Sequence, residues 1–244
     1  MNNYDYNLDE LNAQRGYQPI ETERSLSGYI SKVMRSVYMR MFLGLLATAL
    51  TSLFIAGNQT LVTALFSSQF IFFGLIIAEL AVVIALSSMI NKMSTEMATV
   101  LFYLYAVLNG VVLTSILFVY SPAVIFKTFL ITAGTFAAMS VFGYTTKQDL
   151  SKFGAFMVMA LIGLIICSIV NIFLKSSGFD WIISLVGVAI FVGLTAWDTQ
   201  KIKAMAMATD EENVGKLATM GALSLYLDFI NLFLYLLRIF DRDR

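Results

Sequence analysis

The 244-residue chain contains no histidine, and its single cysteine is Cys167. The first absence excludes a Ser-His-Asp triad and any other catalysis that relies on imidazole. The second excludes an intrachain disulfide, and together they leave a Cys/His metal site without ligands. Charge is scarce as well: 13% of the residues are charged, where a soluble domain has about one-quarter. Apolar residues make up 59%, and the mean hydropathy is +0.79. Such a chain cannot cover its surface with polar groups in water. It is a membrane protein, and its natural partner is a lipid bilayer. The formal net charge of zero gives no sign of a nucleic-acid partner.

What is present is a series of long apolar runs. Crossing a core ~30 Å thick takes about 20 apolar residues as a helix. Seven runs qualify, at roughly 38–57, 70–90, 98–119, 123–143, 154–174, 180–201 and 215–239. All should be helical, because an open strand cannot satisfy its backbone in lipid. The fold class is therefore an all-α membrane protein, a seven-helix transmembrane domain over 28–244 behind a polar tail at 1–27. That tail has no apolar core of a signal peptide, so the first span is expected to act as an uncleaved insertion signal. Ser121-Pro122 reads as an N-cap followed by proline at the first helical position. Gly178 is expected to part the fifth span from the sixth. Ahead of the first span, Ile30, Val33, Met34, Val37 and Met41 recur at helical spacing, with Ser31, Lys32, Arg35 and Ser36 opposite. Two readings stand: an interfacial helix lying on an anionic leaflet, or a first span that begins early.

Lysine and arginine set orientation. With seven spans and the N-terminus inside, inner segments hold eleven basic residues and outer ones five. The N-terminus is therefore expected in the cytoplasm. Three of the outer five are Arg238, Arg242 and Arg244, so a last segment that dipped in and returned would divide the charges fourteen to two. The stretch Leu217–Ile239 is long enough to cross, which favours a full span.

Three acids fall within the spans: Glu79, Asp198 and Asp228. An ionised side chain at the bilayer centre costs roughly 2.5–3.5 kcal/mol on insertion scales, so such residues are seldom idle. On the last helix Gly221, Ser224, Asp228, Asn231 and Tyr235 follow a three-four spacing and form one polar stripe. That stripe reads as an ion or proton pathway through Ser224, Asp228 and Asn231, or as a seam of hydrogen bonds between helices. Neutral Ser224 and Asn231 suit the seam; Asp228 suits the pathway. Asp198 ends the uncharged run from Trp181 to Trp197. It could pair with Lys201 at the interface, a contact worth little, or meet Asp228 across a wet vestibule. Two carboxylates that share a site cannot both ionise cheaply. In a chain without histidine, that is the natural route to a sensor near neutral pH. Glu79, with Ser87 two turns along, is either a third pathway group or a structural hydrogen-bonding acid. Lys127 is expected to snorkel to the outer interface.

The stretches "VYMRMFLGLLATAL", "YTTKQDLSKFGAF", "GLTAWDTQKIK" and "SLYLDFINLFLYLLRIF" resemble the Bax inhibitor-1 family of multi-pass membrane proteins, over about Val37 to Phe240. The resemblance implies a bundle whose last helix is central, in a bacterial-type member of the plasma (inner) membrane. It also implies a calcium leak pathway in which an aspartate pair on the sixth and seventh helices senses pH; by motif position these are Asp198 and Asp228. The family's second-helix basic latch has no counterpart, since no Arg or Lys lies in that span and Lys92 follows it.

The leading functional expectation is thus a pH-sensitive cation (calcium) leak channel, with Asp198 and Asp228 as gate and as carboxylate oxygens suited to calcium. No cofactor is expected beyond calcium as the transported ion. The alternative is a regulator that binds and restrains another membrane protein, such as a membrane protease, with the tail as its handle. An intramembrane aspartyl protease would show Tyr-Asp and Gly-x-Gly-Asp motifs, whereas these acids stand in "TAWD" and "YLD". The chain is not expected to be an enzyme.

Overall fold

A computed structural model describes residues 18–209 and 213–241, and all their regular structure is helical. Most of the tail expected at 1–27, namely residues 1–17, lies outside the described residues. Among the described residues nine α-helices follow one another: α1 (Gln18–Ala56), α2 (Gln59–Phe66), α3 (Gln69–Met89), α4 (Thr95–Leu113), α5 (Ile116–Val119), α6 (Pro122–Thr145), α7 (Ser151–Leu174), α8 (Ser177–Ala208) and α9 (Val214–Asp241). Seven stretches among the described residues are long and apolar enough to cross a membrane; α4 and α5 share one of them, Thr95–Val119. In span order α8 is the sixth and α9 the seventh. α9 is one unbroken helix of 28 residues, so the dip-and-return reading of the last segment does not match its shape.

Three local features differ from expectation. The apolar stretch of α1 starts at Leu26 rather than near 38, and the helix does not break there. Ile30, Val33, Met34, Val37 and Met41 are all buried against the rest of the bundle. Their face therefore packs on protein rather than on a leaflet, which corrects the interfacial-helix reading. The break between α7 and α8 is at Lys175, not Gly178: Lys175 takes a left-handed conformation (φ 50°), and Gly178 lies inside α8. Polar side chains fix that break. Asn171 Oδ1 accepts from the Ser176 N–H at 3.2 Å, and Ser176 Oγ accepts from the Phe179 N–H at 3.3 Å. Finally, α2 is a short helix that no sequence reading anticipated, capped by Asn58 Oδ1, which accepts from the N–H groups of Thr60 and Leu61. The Ser121-Pro122 start of α6 is as expected, with Ser121 Oγ accepting from Val124 N–H.

Burial is uneven. Of the most apolar window in α9, 67% is buried; in α3 the figure is 6%. α9 packs most extensively on α8, then on α1, α6 and α4. α3 packs chiefly on α4. The larger core gathers α1, α4 and α9 around Phe102, Tyr105, Tyr226 and Phe229. A second core joins α7, α8 and α9 through Ile190, Phe191, Leu194, Leu232 and Leu236. Close approaches between helices use small residues, as membrane bundles do when packing must replace the hydrophobic effect. A Cβ on Gly143 of α6 would stand 2.1 Å from the Ala196 carbonyl oxygen of α8.

Candidate functional site

The polar stripe of α9 faces α8. Gly221 lies against Ile202 of α8, and Tyr235 stacks on Phe191 with ring centres 5.8 Å apart. Tyr235 also covers Gly187, where any Cβ would come within 2.7 Å of the ring. These contacts set the register of α9 on α8, the helices that carry Asp228 and Asp198. Asp228 is 4% exposed and its Oδ2 is buried without a hydrogen-bond partner. The charge that acts on it through space is that of Asp198. Asp198 is half-buried, and Lys201 acts on it in turn.

The Asp198–Lys201 ion pair, the alternative reading of that acid, does not form among the described residues. The Lys201 ammonium lies 4.8 Å from the centre of the Trp197 ring instead. Among the described residues neither aspartate makes an ion pair; the one that forms, Arg238–Asp180 at 3.9 Å, joins the far ends of α9 and α8. A cavity of about 630 Å³ lies beside the α6–α7 turn, lined by Trp197, Gln200, Lys201 and Lys147, but neither aspartate lines it. Gln200 holds that turn against α8 with both ends of its amide: Oε1 accepts from Leu150 N–H at 2.8 Å, and Nε2 donates to the Gln148 carbonyl at 2.7 Å.

The other candidates divide. Ser224 is half-buried one turn before Asp228. Asn231 donates to the Leu227 carbonyl of its own helix at 2.8 Å. Glu79 is not part of the aspartate cluster. Its carboxylate accepts from the side-chain amide of Asn109 and from the Tyr105 hydroxyl, both buried on α4. That is the structural hydrogen-bonding reading, and Ser87 is exposed beyond it. Lys127 is exposed, with its ammonium 5.0 Å from the Phe240 ring.

Sequence reading passed over Arg40 and the hydroxyls around it. Arg40, on α1, donates to Thr99 Oγ1 at 3.1 Å, to the Gly215 carbonyl at 2.9 Å and to Thr219 Oγ1. It ties α1 to α4 and α9. Further along, Thr48 Oγ1 donates to the Ala106 carbonyl and lies 2.7 Å from the Tyr226 hydroxyl. An arginine inside "VYMRMFLGLLATAL" was the available signal. As for metal, no cluster of three or more His, Cys, Asp or Glu side chains forms among the described residues. Two carboxylates are fewer oxygens than the six to eight calcium takes when held by protein, so the pair could offer a passing ion only part of its shell.

The family model described as inhibitor of apoptosis-promoting Bax1 matches residues 30–244. The chain is 50% identical over 214 residues to inner membrane protein YbhL of Escherichia coli K12, covering 86% of this chain and 92% of that one. A protein of Borreliella burgdorferi is 45% identical over 216 residues, covering 88% and 93% of the two chains. Protein RP147 of Rickettsia prowazekii is 41% identical over 218 residues, covering 88% and 91%.

Proposed function

The chain belongs to the Bax inhibitor-1 family of membrane proteins, and from that premise we propose that it is a pH-sensitive calcium leak channel gated by Asp198 and Asp228. The observation that carries the reading is Asp228: a carboxyl buried in the bundle, one oxygen without a partner, and another carboxyl as its electrostatic neighbour. A permanently charged group would be intolerable there without a counter-ion. A proton held between the two carboxyls removes the repulsion and keeps α9 against α8. Loss of that proton adds a charge to a dry contact, which favours separation of the two helices and lets water and a cation reach the carboxylates. The protein has two states, and protonation shifts their populations. The chemistry is ion passage, not catalysis. The basic residues at the end where α1 begins support a cytoplasmic position for that end, in a bacterial inner membrane by analogy with YbhL.

The test is calcium uptake into proteoliposomes of the purified protein, scanned over pH. Uptake above that of protein-free vesicles, varying with pH in the native protein and flat in Asp228→Asn, is the expected result. Uptake no greater than in empty vesicles would remove the channel reading, and an unchanged pH profile in Asp228→Asn would remove the gate.

A further inference from the structure

Away from the aspartates, α1 and α6 both pack on α9 but hardly on each other. The gap between them is a cleft of about 590 Å³ at the end of the bundle where α1 begins. We propose that this cleft binds one anionic phospholipid, with its phosphate at Arg35 and its upper acyl chain along the apolar wall.

Four observations support it. Arg35 lines the cleft, is exposed and makes no ion pair among the described residues, so its guanidinium is available for a two-pronged contact with phosphate. Ser140 also lines the cleft; it is 6% exposed, and its Oγ has no hydrogen-bond partner. A buried hydroxyl without a partner is destabilising unless something supplies one, and a headgroup oxygen would. Tyr144 closes the same end; its carbonyl accepts from the Lys203 ammonium at 2.8 Å, and its ring lies 4.7 Å from that ammonium. A second cation therefore stands behind the wall. Finally, Met34, Phe136 and Val141 give the rest of the lining an apolar character.

Direction matters too. α1 and α6 run in opposite senses, so Ser31 on α1 and Tyr144 on α6 share the outer end of the cleft, and Tyr38 and Phe136 share the deeper one. Polar and cationic groups thus sit at headgroup depth and apolar ones at acyl depth. A basic pocket between membrane helices near the surface is the arrangement that selects anionic headgroups. A zwitterionic lipid would bring its own ammonium to a site that already holds a cation. The site uses neither aspartate, so it stands whether or not the channel reading does.

Native mass spectrometry of the full chain in detergent decides the matter, with phosphatidylglycerol, phosphatidylcholine of the same acyl chains, and glycerol phosphate as probes. One phosphatidylglycerol should bind about tenfold more tightly than phosphatidylcholine. Arg35→Gln should weaken phosphatidylglycerol roughly tenfold, the loss of a charge-assisted contact, and leave phosphatidylcholine unchanged. Ala137→Phe, which fills the cleft, should weaken both lipids. If that variant does not fold, Arg35→Gln alone decides, since Arg35 is exposed. Equal binding of the two lipids would overturn the proposal, as would native phosphatidylglycerol affinity in Arg35→Gln. Glycerol phosphate bound as tightly as the lipid would also overturn it, by showing a site for free phosphate.

Discussion

Arg40 stands inside the first apolar run, yet it meets three oxygens on two other helices. Its bonds are charge-assisted, and truncation would leave Thr99, Thr219 and the Gly215 carbonyl without their donor. Arg40→Ala is expected to lower stability by about 2–4 kcal/mol, read as thermal unfolding in detergent. Arg40→Lys should recover only part, because an ammonium cannot span the same fork of acceptors. The aspartates should behave in the opposite way. Asp198→Asn and Asp228→Asn keep shape and polarity but remove an ionisable group, so stability should hold or rise. If the two act as one unit, each variant removes most of the pH dependence of flux and the double variant adds little. Additive effects in the double variant would show two independent groups. At this scale the sequence was half-legible. A carboxylate in an apolar run stands out, which is how Asp198, Asp228 and Glu79 were found. A threonine does not. Thr132 and Thr195 bond only to carbonyls of their own helix, whereas Thr48 also reaches across to α4. Spacing alone cannot tell these cases apart.

Helices are where the reading was strongest, because length and hydropathy are fixed by the bilayer. It failed at ends and faces. Gly178 looked like a helix break, but the capping groups of Asn171 and Ser176 act earlier and force Lys175 into the left-handed region. The apolar stripe of early α1 could have faced lipid or protein, and periodicity is the same for both. Helix contacts supply a sharper test. Gly143→Val would push a side chain into the Ala196 backbone and is expected to lower stability by about 1–3 kcal/mol or more, parting α6 from α8. Gly134→Val, on the same helix with nothing within 4 Å of the added Cβ, should change little. The α6–α7 turn offers a pH test outside the membrane. Asp149 accepts from Ser151, side chain and backbone, which holds its carboxyl below the usual carboxylate range. A lowered native value means the contribution is complete above the unfolded value, near pH 4. It fades as pH falls through the native one. Asp149→Asn should therefore narrow the stability gap between pH 6 and pH 3.

For the whole molecule, topology is the property most open to test. In a Cys167→Ala background, cysteine at Lys147 should resist an impermeant thiol reagent on intact cells, and cysteine at Lys175 should react. The reverse pattern would invert the proposed orientation. The pairing of helices was beyond sequence reading, because a bundle of seven apolar helices can be arranged in many ways. What selects one is the sparse set of polar ties, and α3 shows what that implies for how the chain is made. Its acid, Glu79, is satisfied by Asn109, 30 residues later in the chain. A ribosome adding about 5–20 residues per second leaves Glu79 in the bilayer for on the order of 2–6 s before that partner is synthesised. During those seconds α3 is a lone hydrophobic helix carrying an unclaimed acid, the kind of feature by which membrane quality control can tell an orphan from an assembled subunit. Replacing both donors, Asn109→Leu together with Tyr105→Phe, would make the interval permanent. In a pulse-chase measurement that variant should turn over faster than the native chain, and Glu79→Leu in the same molecule should restore its lifetime.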